Sequence, residues 1–592
     1  MISFDLIIVF IVILFIIISL YLEILGASFT FLISVITLGA VGILTPSEIL
    51  SGFANEQIAV IIMLLLIGEI IRKTGIIDSL FDKIFKEDNT EKGFLSRIML
   101  LIAPLSAFLN NTPLVAVMMP YVKSWSYKND ISPSKFLIPL SYAAILGGCA
   151  TLIGTSTNLI VNGLVVDQQI IEGLPPLNIF DFSFIGAPMI IIGFIYLYFF
   201  SHKLLPDKKD VISEFATNSR NYLVEAQIRP KSKLVGKTIE EGGLRNLKGL
   251  FLVEIIRNDI KLSAVSPDVI LSEDDILIFA GNTDTIADMV KSKNSMILPS
   301  VGMLHRKKYT EVVEVVISHK SSLINKTVKN FNFRAKYDAA VIAVHRNGEK
   351  ISGKIGDIVL KSGDVLLLFA GGDFLQRARN TQDFYLISKV KDFQKLETYK
   401  TVILLGGLLL AILLATFKVI SLFMGLIILI LTTLALRITT PKEIPKSIDF
   451  DLALIIALSL ALGTAMIKTG AAELIANLLI NVFVPLGPTG ILLGIYIITA
   501  LMAAYITNKA SVAIIFPISL TIADNLALTP TPFILVVAFA AAANFITPIG
   551  YQTNLMVYGP GGYSFKDFFK IGFPLTVIYL IVTIVMLSLI YF

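Results

Sequence analysis

Asn110-Asn111-Thr112-Pro113 breaks one hydrophobic run of this chain, and Thr507-Asn508-Lys509-Ala510-Ser511 breaks a corresponding run near the other end. Each break is followed by a second polar motif, Gly154-Thr155-Ser156-Thr157-Asn158 in one case and Gly550-Tyr551-Gln552-Thr553-Asn554 in the other. Asn111 therefore pairs with Asn508, and Asn158 pairs with Asn554. Interrupted hydrophobic segments at matching positions in two halves are the best sequence indication of a transporter binding site. The duplication predicts a secondary transporter.

The composition is that of a membrane protein. Of 592 residues, 55% are hydrophobic and only 16% are charged, and runs such as 6–22 and 401–417 have the length of a bilayer-spanning helix. A single cysteine, Cys149, excludes an internal disulfide and a multi-cysteine metal site. The four histidines lie at or beyond the end of the first apolar half, so no histidine metal centre is expected within the membrane. The net charge of +5 requires no nucleic-acid partner.

The chain divides into hydrophobic blocks on either side of a polar block. We expect a first transmembrane repeat at 1–205 and a second at 399–592, each with an odd number of crossings and hence inverted topology. The polar block contains an internal repeat, because the sequence of residues 231–239 resembles that of residues 320–328. Short apolar strands in both copies predict two small α/β domains, at 206–305 and 306–398. Basic clusters around this block favour a cytoplasmic location in a cell-membrane protein.

The broken segments supply the chemistry of an ion and anion site. A membrane helix is broken only where its freed backbone groups line a cavity or are buried in protein. Asn and Thr offer neutral oxygens, which suit a sodium ion, and free helix N-termini suit an anion. The competing interpretation is that these residues are polar contacts between packed helices.

Lys509 is the most unusual residue of either half. A lysine at mid-membrane depth costs at least ~2.5 kcal/mol, so it needs a partner or a function. Its ammonium could occupy a cation position, neutralise the substrate directly, or extend to water from the end of the hairpin.

These motifs resemble the divalent anion:sodium symporter family of the ion transporter superfamily. The resemblance rests on 110–113, 154–158, 507–510 and 547–563. It implies a polytopic α-helical membrane protein with re-entrant hairpins, working as a homodimer by an elevator mechanism among membrane lipids. The paired middle domains resemble the regulatory C-terminal domain of potassium-conductance regulators (TrkA-C type), as inserted in the sulfate-permease-like branch.

The resemblance also implies site residues. The expected substrate-binding residues are Asn110, Asn111, Thr112, Ser156, Thr157, Asn158, Thr507, Asn508, Lys509, Thr553 and Asn554. One sodium site is expected at Asn111, Thr155 and Asn158, and a second at Asn508, Thr547 and Asn554. Two positions depart from the family pattern: Asn110 replaces the common serine, and Lys509 stands where a small polar residue is usual, which calls the second sodium site into question.

The expected function is sodium-coupled symport of a divalent anion, with sulfate or a related oxyanion favoured over a C4-dicarboxylate. The alternatives are proton-coupled or exchange transport with Lys509 in place of a cation site, and, from another class, a gated cation channel. No nucleophile–base pair, metal cluster or phosphate loop supports an enzyme, and no organic cofactor is expected. The middle domains are expected to bind a small cytosolic ligand such as a nucleotide, with Arg245, Arg257, Arg334 and Arg346 as regulatory residues, or to serve only dimerisation or stability.

Overall fold

The computed structural model describes most of both hydrophobic halves and the strands between them. The described residues are 3–22, 24–73, 90–208, 223–244, 250–257, 260–263, 265, 268–281, 296–297, 312–319, 321–331, 333–346, 349–351, 355–371, 373–379, 381–386, 398–441, 444 and 450–592.

The first half is helical throughout its described part. Its helices are α1 Phe4–Tyr21, α2 Ala27–Ala40, α3 Pro46–Ser51, α4 Glu56–Lys73, α5 Glu91–Ser106, α6 Asn111–Lys128, α7 Leu137–Gly148, α8 Ser156–Asp167 and α9 Ser183–Leu204. Their starts carry ordinary capping signals. The hydroxyl of Thr45, for example, accepts from Glu48 N at 3.3 Å while Glu48 Oε2 accepts from Thr45 N at 2.8 Å, which satisfies two otherwise unpaired N–H groups.

The described part of the second half is also mainly helical. Its helices are α12 Thr398–Thr416, α13 Leu422–Ala435, α14 Phe450–Lys468, α15 Ala471–Phe483, α16 Gly487–Tyr505, α17 Asn508–Asn525, α18 Pro530–Ala542, α19 Gln552–Tyr558 and α20 Phe565–Tyr591. Six described segments are long and apolar enough to cross a membrane: Phe4–Tyr21, Pro46–Ile71, Ser183–Leu204, Tyr399–Thr416, Ala471–Tyr505 and Phe565–Tyr591. This agrees with the predicted polytopic helical architecture.

Helices α9 and α20 occupy equivalent places at the end of their halves, and they run antiparallel. Tyr196, late in α9, donates a hydrogen bond to the carbonyl of Ile571, early in α20, at 2.8 Å. Lys208, just after α9, lies 3.4 Å from Asp567 in the first turn of α20. Equivalent helices that cross in opposite directions are the pattern expected of inverted repeats.

The polar block forms two antiparallel sheets. The first contains β1 Leu223–Ile228, β2 Leu250–Arg257, β3 Ile260–Ser263, β4 Ile276–Gly281 and β5 Met296–Ile297; the second contains β6 Val312–Ile317, β7 Ala339–Arg346, β8 Glu349–Lys350, β9 Val365–Ala370 and β10 Phe384–Leu386. Short helices α10 Phe333–Tyr337 and α11 Phe374–Arg379 accompany the second sheet.

The two sheets share one strand order. The first sheet is ordered β3-β2-β4-β1-β5, and the second, β8-β7-β9-β6-β10, is the same order with each strand replaced by its counterpart. Both have a register shift at the same place, between Leu252 and Glu254 and between Val341 and Ala343. We refer to residues 223–297 as the first module and residues 312–386 as the second module.

Candidate functional site

Two helices begin where the sequence breaks the hydrophobic runs. Helix α6 begins at Asn111, and the side-chain oxygen of Asn110 caps it by accepting from Thr112 N at 3.3 Å. Helix α17 begins at Asn508, and the hydroxyl of Thr507 caps it in the same way. Each start leaves backbone N–H groups and the positive end of a helix dipole at the break. Both breaks, hereafter the first and second tips, therefore have the electrostatic character that suits an anion.

Two further helix starts lie at the first tip. Helices α8 and α19 begin directly after Thr155 and Tyr551. The hydroxyl of Tyr551 lies 2.7 Å from the side-chain amide of Asn111 and 3.2 Å from the hydroxyl of Thr155. When the Asn111 amide oxygen accepts from Tyr551, its nitrogen lies 3.3 Å from the carbonyl of Gly154. Three helix N-termini from both halves of the chain therefore meet at Tyr551.

A shallow opening lies beside this junction, with about 420 Å³ of space that includes open solvent. Asn110, Gly154 and Ser156 provide polar lining, while helix α4 contributes Ile61 and other apolar side chains. Asn110 and Ser156 are thus predicted substrate residues that border open space. An apolar wall with a few convergent polar groups is the usual character of a small-molecule site.

The paired asparagines Asn158 and Asn554 make the same hydrogen bond in both halves. The Asn158 amide nitrogen donates to the carbonyl of Thr151 at 2.9 Å, and that of Asn554 donates to the carbonyl of Thr547 at 3.2 Å. The amide oxygens differ: that of Asn554 accepts from Ser141 at 2.7 Å. That of Asn158 is buried and meets no hydrogen-bond donor among the described residues.

The amide oxygen of Asn508 at the second tip is likewise buried without a donor in the described part of the chain. An unsatisfied buried acceptor costs about 1–3 kcal/mol, and ligation of a cation would remove that cost. The described ranges contain no cluster of three His, Cys, Asp or Glu side chains that could hold a metal. The oxygens present are neutral, which fits a monovalent hard cation.

The remaining predicted residues lie in α8, α17 and α19 or in the loop before α19. The hydroxyl of Thr553 is 2.8 Å from that of Ser141, and Thr157 is buried. The hydroxyl of Thr547 accepts from Gly550 N at 3.0 Å. Lys509 is the second residue of α17 and is partly buried.

Two of the arginines predicted to be regulatory form ion pairs within their own modules. Arg257 forms an ion pair with Asp275 at 2.7 Å, and Arg346 forms the equivalent pair with Asp364 at 2.7 Å. The neighbouring carboxylate raises the pKa of each guanidinium. Arg334 lies in helix α10, and Arg245 lies outside the described residues.

Sequence reasoning missed Tyr551, Gln552, Ser106 and Ser141. Ser106 hydrogen-bonds the Asn111 amide, and Ser141 joins Thr553 to Asn554. The sequence did contain a signal for Tyr551 and Gln552. Tyr551 and Gln552 stand where the other repeat has Thr155 and Ser156, so they mark the positions at which the two motifs differ most.

Comparison with known proteins shows the family to which the chain is related. The sequence model of the citrate transporter family (CitMHS) matches residues 7–479 and 411–592. A protein of Chlamydomonas reinhardtii named "Putative sulfur deprivation response regulator" is 34% identical over 557 residues, covering 92% of this chain and 94% of that protein. An uncharacterized transporter of Synechocystis is 34% identical over 601 residues, covering 98% and 96%.

A third relative carries a substrate in its name. Sodium/sulfate cotransporter 1 of Chlamydomonas reinhardtii is 25% identical over 773 residues, covering 94% of this chain and 86% of the relative. Together with the apolar helices, these matches identify a multi-pass membrane protein that acts as a secondary transporter of anions and is not an enzyme. The chain belongs to the citrate transporter (CitMHS) family.

Proposed function

We propose that this protein is a sodium-coupled symporter of a divalent anion, with sulfate or a related oxyanion as substrate in preference to a C4-dicarboxylate. The observation that carries the proposal is the pair of capped helix starts beside buried amide oxygens of Asn158 and Asn508 that meet no described donor. Helix N-termini suit the anion, and the oxygens suit the cation.

The charge balance explains why the two solutes would travel together. An isolated dianion is very costly to move into a low-dielectric interior. The described residues that line the opening at the first tip include no carboxylate or lysine, only helix dipoles and neutral side chains. Sodium ions bound beside the anion lower the net charge of the loaded site. The names of three relatives as sodium/sulfate cotransporters support this pairing of solutes.

Contacts between the halves support an elevator mechanism. Ser141 in α7 hydrogen-bonds Asn554 in α19, and Tyr142 donates to the carbonyl of Phe545 at 2.6 Å. The hydroxyl of Tyr563 donates to the carbonyl of Ser134. Helix α7 and the loop before it are therefore linked to α19 and to the segments on either side of α19, as parts of one moving body would be. We assign the modules to a TrkA-C-like regulatory role on the cytoplasmic side of a cell-membrane homodimer.

The experiment is uptake into liposomes. Purified protein is reconstituted, and entry of labelled sulfate, succinate and citrate is measured with an inward sodium gradient and with choline in place of sodium. We expect sodium-dependent entry of sulfate above that of succinate. Citrate belongs in the panel because of the family description. Entry that is equal in sodium and choline would contradict the proposed coupling.

A second candidate is proton-coupled or exchange transport, which Lys509 favours. Its position in the first turn of α17 is where the second cation is expected. Uptake of sulfate by Lys509→Asn is compared with wild type over a range of sodium concentrations. A steeper sodium dependence in the variant would show that the ammonium replaces a sodium ion. Unchanged sodium dependence and sulfate affinity would remove Lys509 from the mechanism.

A further inference from the structure

The second module forms a buried ion pair with α6, the helix that begins at the first tip. Lys123, twelve residues along α6 from Asn111, lies 2.7 and 2.8 Å from the two carboxylate oxygens of Glu314 in β6. Their side chains are only 3% and 0% exposed. A buried ion pair of this geometry fixes relative position, because either charge left alone would be strongly destabilising.

The second module also packs so closely against α19 and the residue after it that the contact has no room for a side chain at two glycines. A Cβ on Gly559, just after α19, would lie 2.5 Å from Val365 Cγ2 in β9. Gly363 has a φ of +82°, and a Cβ there would lie 2.9 Å from Leu555 Cδ1. Glycine is required at both positions for this contact. Helices α6 and α19, which both begin at the candidate site, are thus held by one sheet.

A chain of hydrogen bonds runs from this sheet to the tip. The Tyr385 hydroxyl in β10 lies 2.8 Å from His319 Nδ1, and His319 Nε2 lies 3.0 Å from Gln552 Nε2. Gln552 Oε1 in turn accepts from the Thr112 hydroxyl at 3.0 Å. An amide nitrogen only donates, so His319 Nε2 accepts and its Nδ1–H donates to Tyr385. The chain has one consistent direction from Thr112 to the module.

We propose that Gln552 is a positioning residue, held by His319 of the second module, that fixes the Thr112 side chain and with it the first turn of α6, whose free N–H groups bind the anion. The second module thereby sets the anion affinity of the first tip. This rests on the proposed function in one respect, the binding of the anion at the N-terminus of α6. It goes beyond it by naming the route through which the module acts on the site.

The test compares sulfate uptake kinetics of wild type with His319→Ala, Gln552→Leu, Thr112→Val and the double variant His319→Ala/Thr112→Val. Loss of one or two hydrogen bonds should raise KM about 3- to 10-fold, with a smaller change in kcat. The double variant should be no worse than Thr112→Val alone, because both changes remove the same orientation. His319→Gln keeps an acceptor and should recover part of the affinity. Arg377→Ala, on an exposed pair of the same module, is the control and should match wild type.

A second readout does not depend on transport. Hydrogen–deuterium exchange over 110–116 should increase in His319→Ala and remain at the wild-type level in Arg377→Ala. An unchanged KM and unchanged exchange in His319→Ala would overturn the inference, as would an equal KM increase in Arg377→Ala. If wild type transports none of the anions, the proposed function fails, and the exchange result alone decides for or against this coupling.

Discussion

Asn158 shows at the scale of one residue how a polar side chain can be built into a membrane protein for a ligand. Its amide nitrogen is held by the Thr151 carbonyl, while its buried oxygen faces no donor among the described residues. Hydrogen bonds to charged groups contribute about 1.5–3 kcal/mol. We therefore expect Asn158→Ala to raise the sodium concentration for half-maximal sulfate uptake by about 10-fold or more.

Asn162 offers a matched control on the same helix. It is also buried, but its amide oxygen already accepts from Leu177 N at 2.9 Å. Asn162→Ala should lower thermal stability while leaving the sodium dependence unchanged. Equal shifts of sodium dependence in the two variants would argue that Asn158 is only a packing residue.

Tyr551 is one of the residues through which the two halves contact each other. Its hydroxyl lies within hydrogen-bonding distance of both Asn111 and Thr155. Tyr551→Phe should reduce kcat/KM for sulfate about 5- to 30-fold, from loss of about 1–2 kcal/mol of hydrogen bonding. Tyr558→Phe, at the end of the short helix that follows Tyr551, serves as the control. A normal kcat/KM in Tyr551→Phe would show that the hydroxyl has no part in the site.

At the scale of the element, the first tip depends on how closely helix α7 approaches it. A Cβ on Gly148 would lie 2.7 Å from the Asn111 amide, whereas a Cβ on Gly463 would meet nothing within 4 Å. Gly148→Ala should therefore displace Asn111 and reduce sulfate uptake about tenfold or more, a misplacement effect. Gly463→Ala should transport normally. Size-exclusion chromatography checks that both variants remain folded, and normal uptake by folded Gly148→Ala would refute the close-packed tip.

The carboxylate of Asp383 interacts with several residues of the second module. Burial raises the pKa of Asp383, but hydrogen bonds from Tyr337 and Ser322 and the charge of Lys336 outweigh it and hold the pKa below its ordinary value of 3.8. Because the pKa of Asp383 is lower in the folded state than in the unfolded chain, its ionised carboxylate stabilises the module at pH values above 3.8. This stabilisation is lost as the pH falls through the folded-state pKa.

We therefore expect Asp383→Asn to increase hydrogen exchange in β6 and β10 at neutral pH. The difference from wild type should shrink as the pH is lowered below 3.8. Exchange measured over a pH series checks the sign. A difference that grows in acid would show that the carboxylate is not stabilising when charged.

The helix breaks could be predicted from sequence because Asn, Thr and Pro clustered inside an apolar run are costly in a continuous membrane helix and are tolerated where the helix is interrupted. Asn110 and Thr507 are indeed the caps of α6 and α17. The contact of Tyr551 with Asn111 could not be predicted, because it depends on how two halves far apart in sequence pack together. From sequence alone Lys123 could be exposed or buried, and in the structure it is buried against Glu314. Only three-dimensional packing distinguishes those two environments.

For the whole molecule, the ion pair of Lys123 and Glu314 is a buried link between the helices and the second module. Glu314→Gln leaves a buried ammonium without its counter-charge and should lower the free energy of unfolding by about 3–5 kcal/mol. The exposed pair of Arg377 and Asp373 provides the contrast, since Arg377→Ala should cost about 0–1 kcal/mol. Thermal unfolding in detergent measures both. Equal small losses would mean that the module is not firmly docked.

The measurement that tests the central claim most directly is entry of labelled sodium into proteoliposomes with and without external sulfate. We predict that sulfate stimulates sodium entry in wild type, and that Asn158→Ala at the same sodium concentration loses most of this stimulation. Sodium entry that is indifferent to sulfate, in a preparation that does take up sulfate, would contradict sodium-coupled symport through this site.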